Sequence, residues 1–202
     1  MTTRVVLATR NAGKISELRT ILESARLDIE LVGVDAFPDV EDVAETGDSF
    51  VANALLKAHA VSTATGLAAI ADDSGLAVDA LNGMPGIFSA RWAGRHGNDD
   101  ANLQLLLGQL TDVPAERRGA AFVCAAVYVD PRGQQLVAEG EMRGRIIGAP
   151  RGTNGFGYDP VFVFAGGDLT TAEMAAADKN AVSHRGQAFR ALAAELRTQL
   201  QG

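Results

Sequence analysis

Asp72 and Asp73 stand side by side in Ala71-Asp72-Asp73-Ser74-Gly75, directly behind the apolar run 67–71. Two acids at the end of a buried strand occupy the place where open α/β sheets keep their ligand crevice. Successive strand residues point to opposite sides, so one of the pair faces such a site. A carboxylate there binds Mg²⁺ or accepts a proton from an attacking water; a turn held by Asx hydrogen bonds is the simpler alternative. The acidic stretch 39–48 reads as a solvated loop, with Glu45 as the exception. It lies just ahead of a helical pattern carrying Asn53 and Lys57, so it is placed to share a Mg²⁺ with Asp73 while Lys57 meets phosphate. A solvated helix face is the plain alternative for Asn53 and Lys57.

Three further segments carry polar chemistry. Thr9-Arg10-Asn11-Ala12-Gly13-Lys14 joins a strand pattern to a helix pattern, so its backbone N–H groups and the positive helix end suit a phosphate, with Lys14 adding charge. It is no P-loop: Ala8 stands where the first glycine is needed, and Ile15 where Ser or Thr should follow the lysine. An ordinary turn capped by Asn11 has the same look. In Gly152-Thr153-Asn154-Gly155-Phe156-Gly157-Tyr158-Asp159-Pro160, Phe156 suits a stacking wall for a planar base and Asp159 suits a ring N–H; a surface loop with anchoring aromatics is the alternative. Lys179, His184 and Arg185 supply donors for an oxyanion or carbonyl around Ser183, itself a natural N-cap. Residues 88–92 read as packing, Cys124 as an inert core thiol, and no Ser-His-Asp elbow, HExxH or paired-thiol motif occurs.

The elements that position these residues follow from hydrophobic spacing. Val5-Val6-Leu7-Ala8 reads as a strand, and Ile15, Leu18 and Leu22 as the apolar face of a helix. Residues 29–34 form a second strand. Phe50, Ala54, Ala58 and Val61 then stripe a helix that lines up Ser49, Asn53 and Lys57 beside them and stops at Gly66. A strand over 67–71 ends at the two acids, and more strand follows over 76–81. Leu103, Leu106, Leu107 and Leu110 mark a helix, and 120–129 a strand that turns at Asp130-Pro131-Arg132-Gly133. The returning strand puts Glu139, Glu141, Arg143 and Arg145 on one face and Met142 and Ile146 on the other. Phe189, Leu192, Leu196 and Leu200 space out a last helix. The sum is α/β with a mixed sheet, in 202 residues with no visible domain boundary, hence one domain over 1–202.

Composition narrows the partners. Eighteen Lys and Arg against 25 Asp and Glu give a net charge of −7, which argues against a nucleic-acid partner and requires a local positive cluster for any anionic substrate. One cysteine rules out a disulfide scaffold, and the apolar run near the start is too short for a signal sequence or a membrane span, so a cytoplasmic protein with no membrane partner is expected.

Taken together and in order, 9–14, Glu45-Thr46-Gly47, Asn53 to Lys57, 71–76, 85–91, 156–160 and Ser183-His184-Arg185-Gly186 closely resemble the inosine triphosphate pyrophosphatase family, its bacterial dITP/XTP branch in particular. The resemblance runs nearly end to end. It implies an elongated mixed β-sheet flanked by helices, in two lobes with the active-site cleft between them. It further implies a homodimeric, Mg²⁺-dependent enzyme that hydrolyses purine nucleoside triphosphates (ITP, dITP and XTP) to the monophosphate and pyrophosphate. Carried over residue by residue, it puts Mg²⁺ on Glu45 and Asp73 and the proton-acceptor role on Asp73. It puts nucleotide on Thr9, Arg10, Asn11, Ala12, Gly13, Lys14, Lys57, Ser74, Phe156, Gly157, Tyr158, Asp159, Lys179, His184 and Arg185. Bacterial relatives usually carry Gly where this chain has Arg10, which implies a side chain that touches phosphate or narrows the cleft. Arg185 facing a purine 6-oxygen would reject adenine, since an unmatched buried donor costs about 1–3 kcal/mol. A Maf-like pyrophosphatase acting on other modified bases and a nucleotide-sensing module without turnover are the competing readings; substrate preference and products separate them.

Overall fold

The computed structural model describes residues 3–10, 12–25 and 27–201; for Ala12, Gly13, Lys14, Glu17, Leu200 and Gln201 it gives the place in a helix and no more. Six strands, β1 (Thr3–Leu7), β2 (Ile29–Gly33), β3 (Ala68–Val78), β4 (Gly119–Val129), β5 (Gln135–Ile146) and β6 (Phe162–Phe164), form one sheet in the order β2-β1-β3-β4-β5-β6. β1 runs parallel to β2 and β3, and β6 antiparallel to β5, so the sheet is mixed as expected. The helices are α1 (Ala12–Ser24), α2 (Phe50–Thr65), α3 (Asp99–Gln109), α4 (Ala176–Val182) and α5 (His184–Gln201). None is long and apolar enough to cross a membrane among the described residues.

The contacts divide the chain into two compact units, each discontinuous in sequence. Unit 1 comprises 1–73, 124–140 and 185–202; unit 2 comprises 74–123 and 141–184. Each unit borrows segments from far along the chain, so no single shift of composition could mark where one ends.

Unit 1 shows the strand alternation clearly. Val5, Leu7, Ala68, Ile70, Cys124, Ala126 and Tyr128 bury against Leu18 and Leu22 of α1 and Phe189, Leu192 and Leu196 of α5. Their neighbours Val6, Ala69, Ala71, Val127 and Val129 bury on the other side, with Ala54, Ala58 and Val61 of α2. A strand buried on both faces reads as a continuous apolar run, which is what Val5-Val6-Leu7 does. Ser49 caps α2 by accepting from the Ala52 N–H at 3.2 Å, and Gly66 ends it in the left-handed conformation with φ of 66°. In unit 2, Leu76 and Val78 of β3 pack with Leu103 and Leu106 of α3, Ala120 of β4 and Met142 and Ile146 of β5.

The hairpin of β4 and β5 forms as its turn and alternation require: Asp130 accepts from Gly133 N–H at 2.9 Å, and Glu139, Glu141, Arg143 and Arg145 are outward-facing while Met142 and Ile146 are buried. One expectation is corrected. The acids do not end a strand: β3 is a single strand of 11 residues with Asp72 and Asp73 at its middle. Asp-Asp-Ser-Gly has turn chemistry locally, but the strand's place in the sheet between β1 and β4 and the burial of Leu76 and Val78 beyond it keep the backbone extended.

Phe189 of α5, with no exposed surface, anchors the helix whose first turn carries Arg185. Phe189→Ala is expected to lower stability by about 3–5 kcal/mol, read as a shifted urea midpoint at unchanged slope. A loss under about 1 kcal/mol would show that α5 docks by other means.

Candidate active site

β3 continues through the acids, so its alternation sends Asp72 to the α5 face and Asp73 to the α2 face. Asp72 is buried, and the Arg185 guanidinium at the start of α5 donates through Nε to its Oδ2 at 3.3 Å. On the other face Asp73 accepts from Asn53 Nδ2 at 3.1 Å, and Lys57 Nζ lies 3.5 Å from its Oδ1. Lys57 also donates to Glu45 Oε1 at 2.8 Å. Asn53 and Lys57 are four residues apart, one above the other on α2.

Asn53, read on the polar face of its helix with Lys57, is fully buried, which rules out the alternative of a solvated face; both ends of its amide are used, Nδ2 on Asp73 and Oδ1 accepting from Gly47 N–H at 2.8 Å. A Cβ on Gly47 would fall 2.7 Å from that of Ala52 and 2.8 Å from Asn53 Oδ1, so only glycine lets the loop fold this tightly onto α2. That grip delivers Glu45, two residues earlier, to Lys57. The sequence placed Glu45, Lys57 and Asp73 together, and the structure does so through one ammonium.

The electrostatics follow from burial. Burial alone would lower the Lys57 pKa, but Asp73 and the hydrogen bond to Glu45 outweigh it and hold the ammonium above its ordinary value. Burial raises the Asp73 carboxyl, Lys57 and Asn53 counter it only in part, and Glu45 and Asp72 push it further up. Among the described residues no three His, Cys, Asp or Glu side chains gather as a metal site. Mg²⁺, however, is held by one or two carboxylates plus substrate phosphate, and Glu45 with Asp73 supplies two hard oxygen donors in a cluster whose repulsion a cation would relieve.

Arg10 is held by the acidic segment after β2. Its guanidinium, read as touching phosphate or narrowing the cleft, here donates to Asp35 Oδ1 at 3.0 Å, to Asp42 Oδ1 at 3.4 Å and to the Val40 carbonyl at 3.1 Å. The acidic segment after β2 is the nearest strong acceptor, and Arg10 staples it to the end of β1. Thr9 donates its N–H to the Leu7 carbonyl. Ala12, Gly13 and Lys14 open α1 as the spacing predicts, which leaves first-turn N–H groups at the loop; their side chains and all of Asn11 lie outside the described residues.

Unit 2 gathers a second group. Phe156 is 66% exposed, and Lys179 Nζ stands 5.9 Å from its ring centroid. Asp159 was expected to meet a ring N–H, but both its oxygens are engaged within the protein: Oδ2 accepts from Phe156 N–H at 2.9 Å and Lys179 Nζ at 2.5 Å, and Oδ1 from Thr171 Oγ1 at 2.7 Å. Tyr158 is the anchoring aromatic, buried in the unit-2 core with its hydroxyl donating to the Ser89 carbonyl at 2.9 Å. Burial pushes its pKa well above the usual phenol range, so it stays a neutral donor. His184 stacks on Phe122 at 5.1 Å, and Ser74 is half-buried on β3. Ser183 directly precedes α5, where a cap belongs, and its hydroxyl donates to the Asn180 carbonyl. Three participants escaped the sequence reading: the buried role of Asn53, Thr171, and Asp99, whose Oδ2 accepts from Gly157 N–H at 3.0 Å.

Residues 5–195 match the model of the Ham1 family. The chain belongs to the Ham1 family. It is 62% identical over 190 residues to a dITP/XTP pyrophosphatase of Streptomyces coelicolor, covering 94% of this chain and 95% of that one. The crystal structure of a nucleoside-triphosphatase, or dITP/XTP pyrophosphatase, of Mycobacterium abscessus is 55% identical and superposes with a TM-score of 0.82 over 94% of this chain and 97% of that one. A HAM1 protein of Coxiella burnetii, 39% identical, superposes with a TM-score of 0.90 over 97% and 99%. The fold described above is thus the Ham1 fold, and the resemblance read from the motifs holds across the chain.

The raised Asp73 carboxyl fixes a pH effect. The folded chain holds this proton more tightly than the unfolded chain, so the group's stabilising contribution is complete below the ordinary value of 3.8 and is lost as pH rises through the folded value. In protein kept free of divalent ions by a chelator, Asp73→Asn should therefore unfold at a higher temperature than the parent at pH 7, with the gap closing towards pH 4. A midpoint at pH 7 equal to or below the parent's would contradict the assignment.

Proposed function

We propose that this chain hydrolyses non-standard purine nucleoside triphosphates, ITP, dITP and XTP, to the monophosphate and pyrophosphate with Mg²⁺, and so clears deaminated purines from the nucleotide pool. The observation that carries the reading is the convergence of Glu45, Lys57 and Asp73 on one point of unit 1, in a chain 62% identical to a dITP/XTP pyrophosphatase.

Each unit-1 residue then has a task. Glu45 and Asp73 would hold the Mg²⁺, which when bound draws charge from the triphosphate oxygens and from its own water. Asp73 takes the proton of the attacking water as that water's oxygen bonds to the α-phosphorus and the bond to the bridging oxygen of the leaving pyrophosphate breaks. Asn53, donating to Asp73 Oδ2, fixes the carboxylate's rotation so that the other oxygen keeps its aim. Lys57 holds positive charge beside the phosphates, and the first-turn N–H groups of α1 with Lys14 meet the chain's far oxygens. Arg185, oriented by Asp72, is the donor for a purine 6-oxygen, and Phe156 in unit 2 offers its exposed face to the base with Lys179 alongside. The working form is a homodimer in the cytoplasm, a reducing compartment suited to the buried lone Cys124.

Incubating the protein with dITP and Mg²⁺ should release dIMP and pyrophosphate in equal amounts; orthophosphate as the primary product would overturn the cleavage position. Binding without any turnover would favour a sensing module, and preference for a modified pyrimidine triphosphate a Maf-like substrate range. Asp73→Asn, folded as above, should lower kcat by about 10²–10⁴-fold; near-parental turnover would remove its role.

A further inference from the structure

Phe156 is the most exposed of the large apolar side chains among the described residues, so its own packing cannot set the direction of its ring. The backbone beneath it does. Gly155 and Gly157 flank it in left-handed conformations, φ 75° and 62°, and the two N–H groups at 156 and 157 are both tied to carboxylates. The first tie is local, from Asp159 in the same turn. The second comes from Asp99, 58 residues earlier, at the first turn of α3. α3 is fixed in the unit-2 core by Leu103 and Leu106, and its cap is Asn98, whose Oδ1 accepts from Ala101 N–H. The Asp99 carboxylate is therefore not consumed in capping its own helix, and it grips the residue that follows the ring. Tyr158, the next residue, is locked to the Ser89 carbonyl, so the backbone on the C-terminal side of Phe156 is pinned at two successive positions by elements outside the loop.

We propose that Asp99 is a positioning residue for substrate: by holding the Gly157 amide it sets the angle at which the Phe156 ring is presented to the nucleobase. This rests on the reading of Phe156 as the base-stacking face. It predicts an effect on KM rather than on the hydrolytic step, because the ring meets the base and not the phosphates.

The test measures dITP hydrolysis with Asp99→Ala, Asp99→Glu and Asp99→Asn, each alone and combined with Phe156→Ala, together with hydrogen exchange at the Gly157 amide. Glu keeps the charge at the start of α3 but displaces the acceptor, and so separates positioning from helix stability should the Ala variant fail to fold. Ala and Glu should raise KM about fivefold with kcat within about twofold, and should speed Gly157 exchange, while Asn, which keeps an acceptor in place, restores both. In the Phe156→Ala background the Asp99 changes should leave KM where Phe156→Ala alone puts it. An undiminished further rise in that background, or parental exchange in Asp99→Ala and Asp99→Glu, would overturn the proposal. Should Phe156→Ala alone leave KM for dITP unchanged, the base-stacking reading itself falls, an outcome distinct from a failed tether.

Discussion

Asp72 and Asp73 sit next to each other in the middle of a buried strand, and an ionised carboxylate taken from water without partners costs several kcal/mol. Two side by side on one face would repel as well. The twofold period of the strand removes the conflict by sending them to opposite sides of the sheet, each to a different helix with a different cation. Asp72 meets Arg185 of α5, and Asp73 meets Lys57 and Asn53 of α2. A one-residue slip of β3 would turn each carboxylate to the opposite face and leave at least one of them without its cation, so the register with β1, Val5 opposite Ala68 to Leu7 opposite Ile70, is under chemical as well as hydrophobic constraint.

From that constraint the rest of unit 1 follows. α2 must bring Asn53 and Lys57 to Asp73, so its apolar stripe of Ala54, Ala58 and Val61 must seat against the same face of the sheet. Small residues at two of those three positions let the helix come close enough for an asparagine and a lysine to reach the strand. Asn53 then does two things with one amide, aiming Asp73 and gripping Gly47, and the grip puts Glu45 on Lys57. Each member of the set is held by another member. This is how a hydrolytic site gains precision, since a carboxylate displaced by an ångström loses much of its effect.

Much of this was legible in the sequence. Amphipathic spacing gave α2, α3 and α5, and alternation gave β5 residue for residue. Placing Glu45, Lys57 and Asp73 together required only that an acidic loop precede a helix that packs on the strand. What escaped reading was decided by contacts far apart in sequence. Asp-Asp-Ser-Gly has the local preferences of a turn, which lost to the sheet and to the burial of Leu76 and Val78 beyond it. Arg10 could be assigned to phosphate because nothing nearby in sequence shows that Asp35 and Asp42 lie closer. Tyr158 and Phe156 are two residues apart and similar in type, yet Tyr158 packs in the unit-2 core with its hydroxyl on the Ser89 carbonyl while Phe156 stays exposed. Asp99 lies 58 residues before Gly157 in the chain, and no local pattern could link the two.

The two units solve the same positioning problem by different means. In unit 1 Asp73 is on a strand and Asn53 and Lys57 on a helix, so their aim is inherited from regular backbone, and Glu45, on the loop ahead of α2, is brought to them by the Gly47 amide on Asn53. In unit 2 the exposed group is on an irregular loop, where side chains have nothing to lean on, and backbone amides are tied to carboxylates instead. The glycines make this possible: a Cβ on Gly155 would overlap the Asp159 carboxylate and sit 3.0 Å from Lys179 Nζ, so the turn closes on Asp159 only without one. The consequence is an apolar ring held outward against its own tendency to bury, with the cost of that exposure met by the charged hydrogen bonds beneath it. Tyr158, one residue beyond Gly157, turns inward to the unit-2 core, so the same short turn sends one aromatic ring into the core and holds the other outside it.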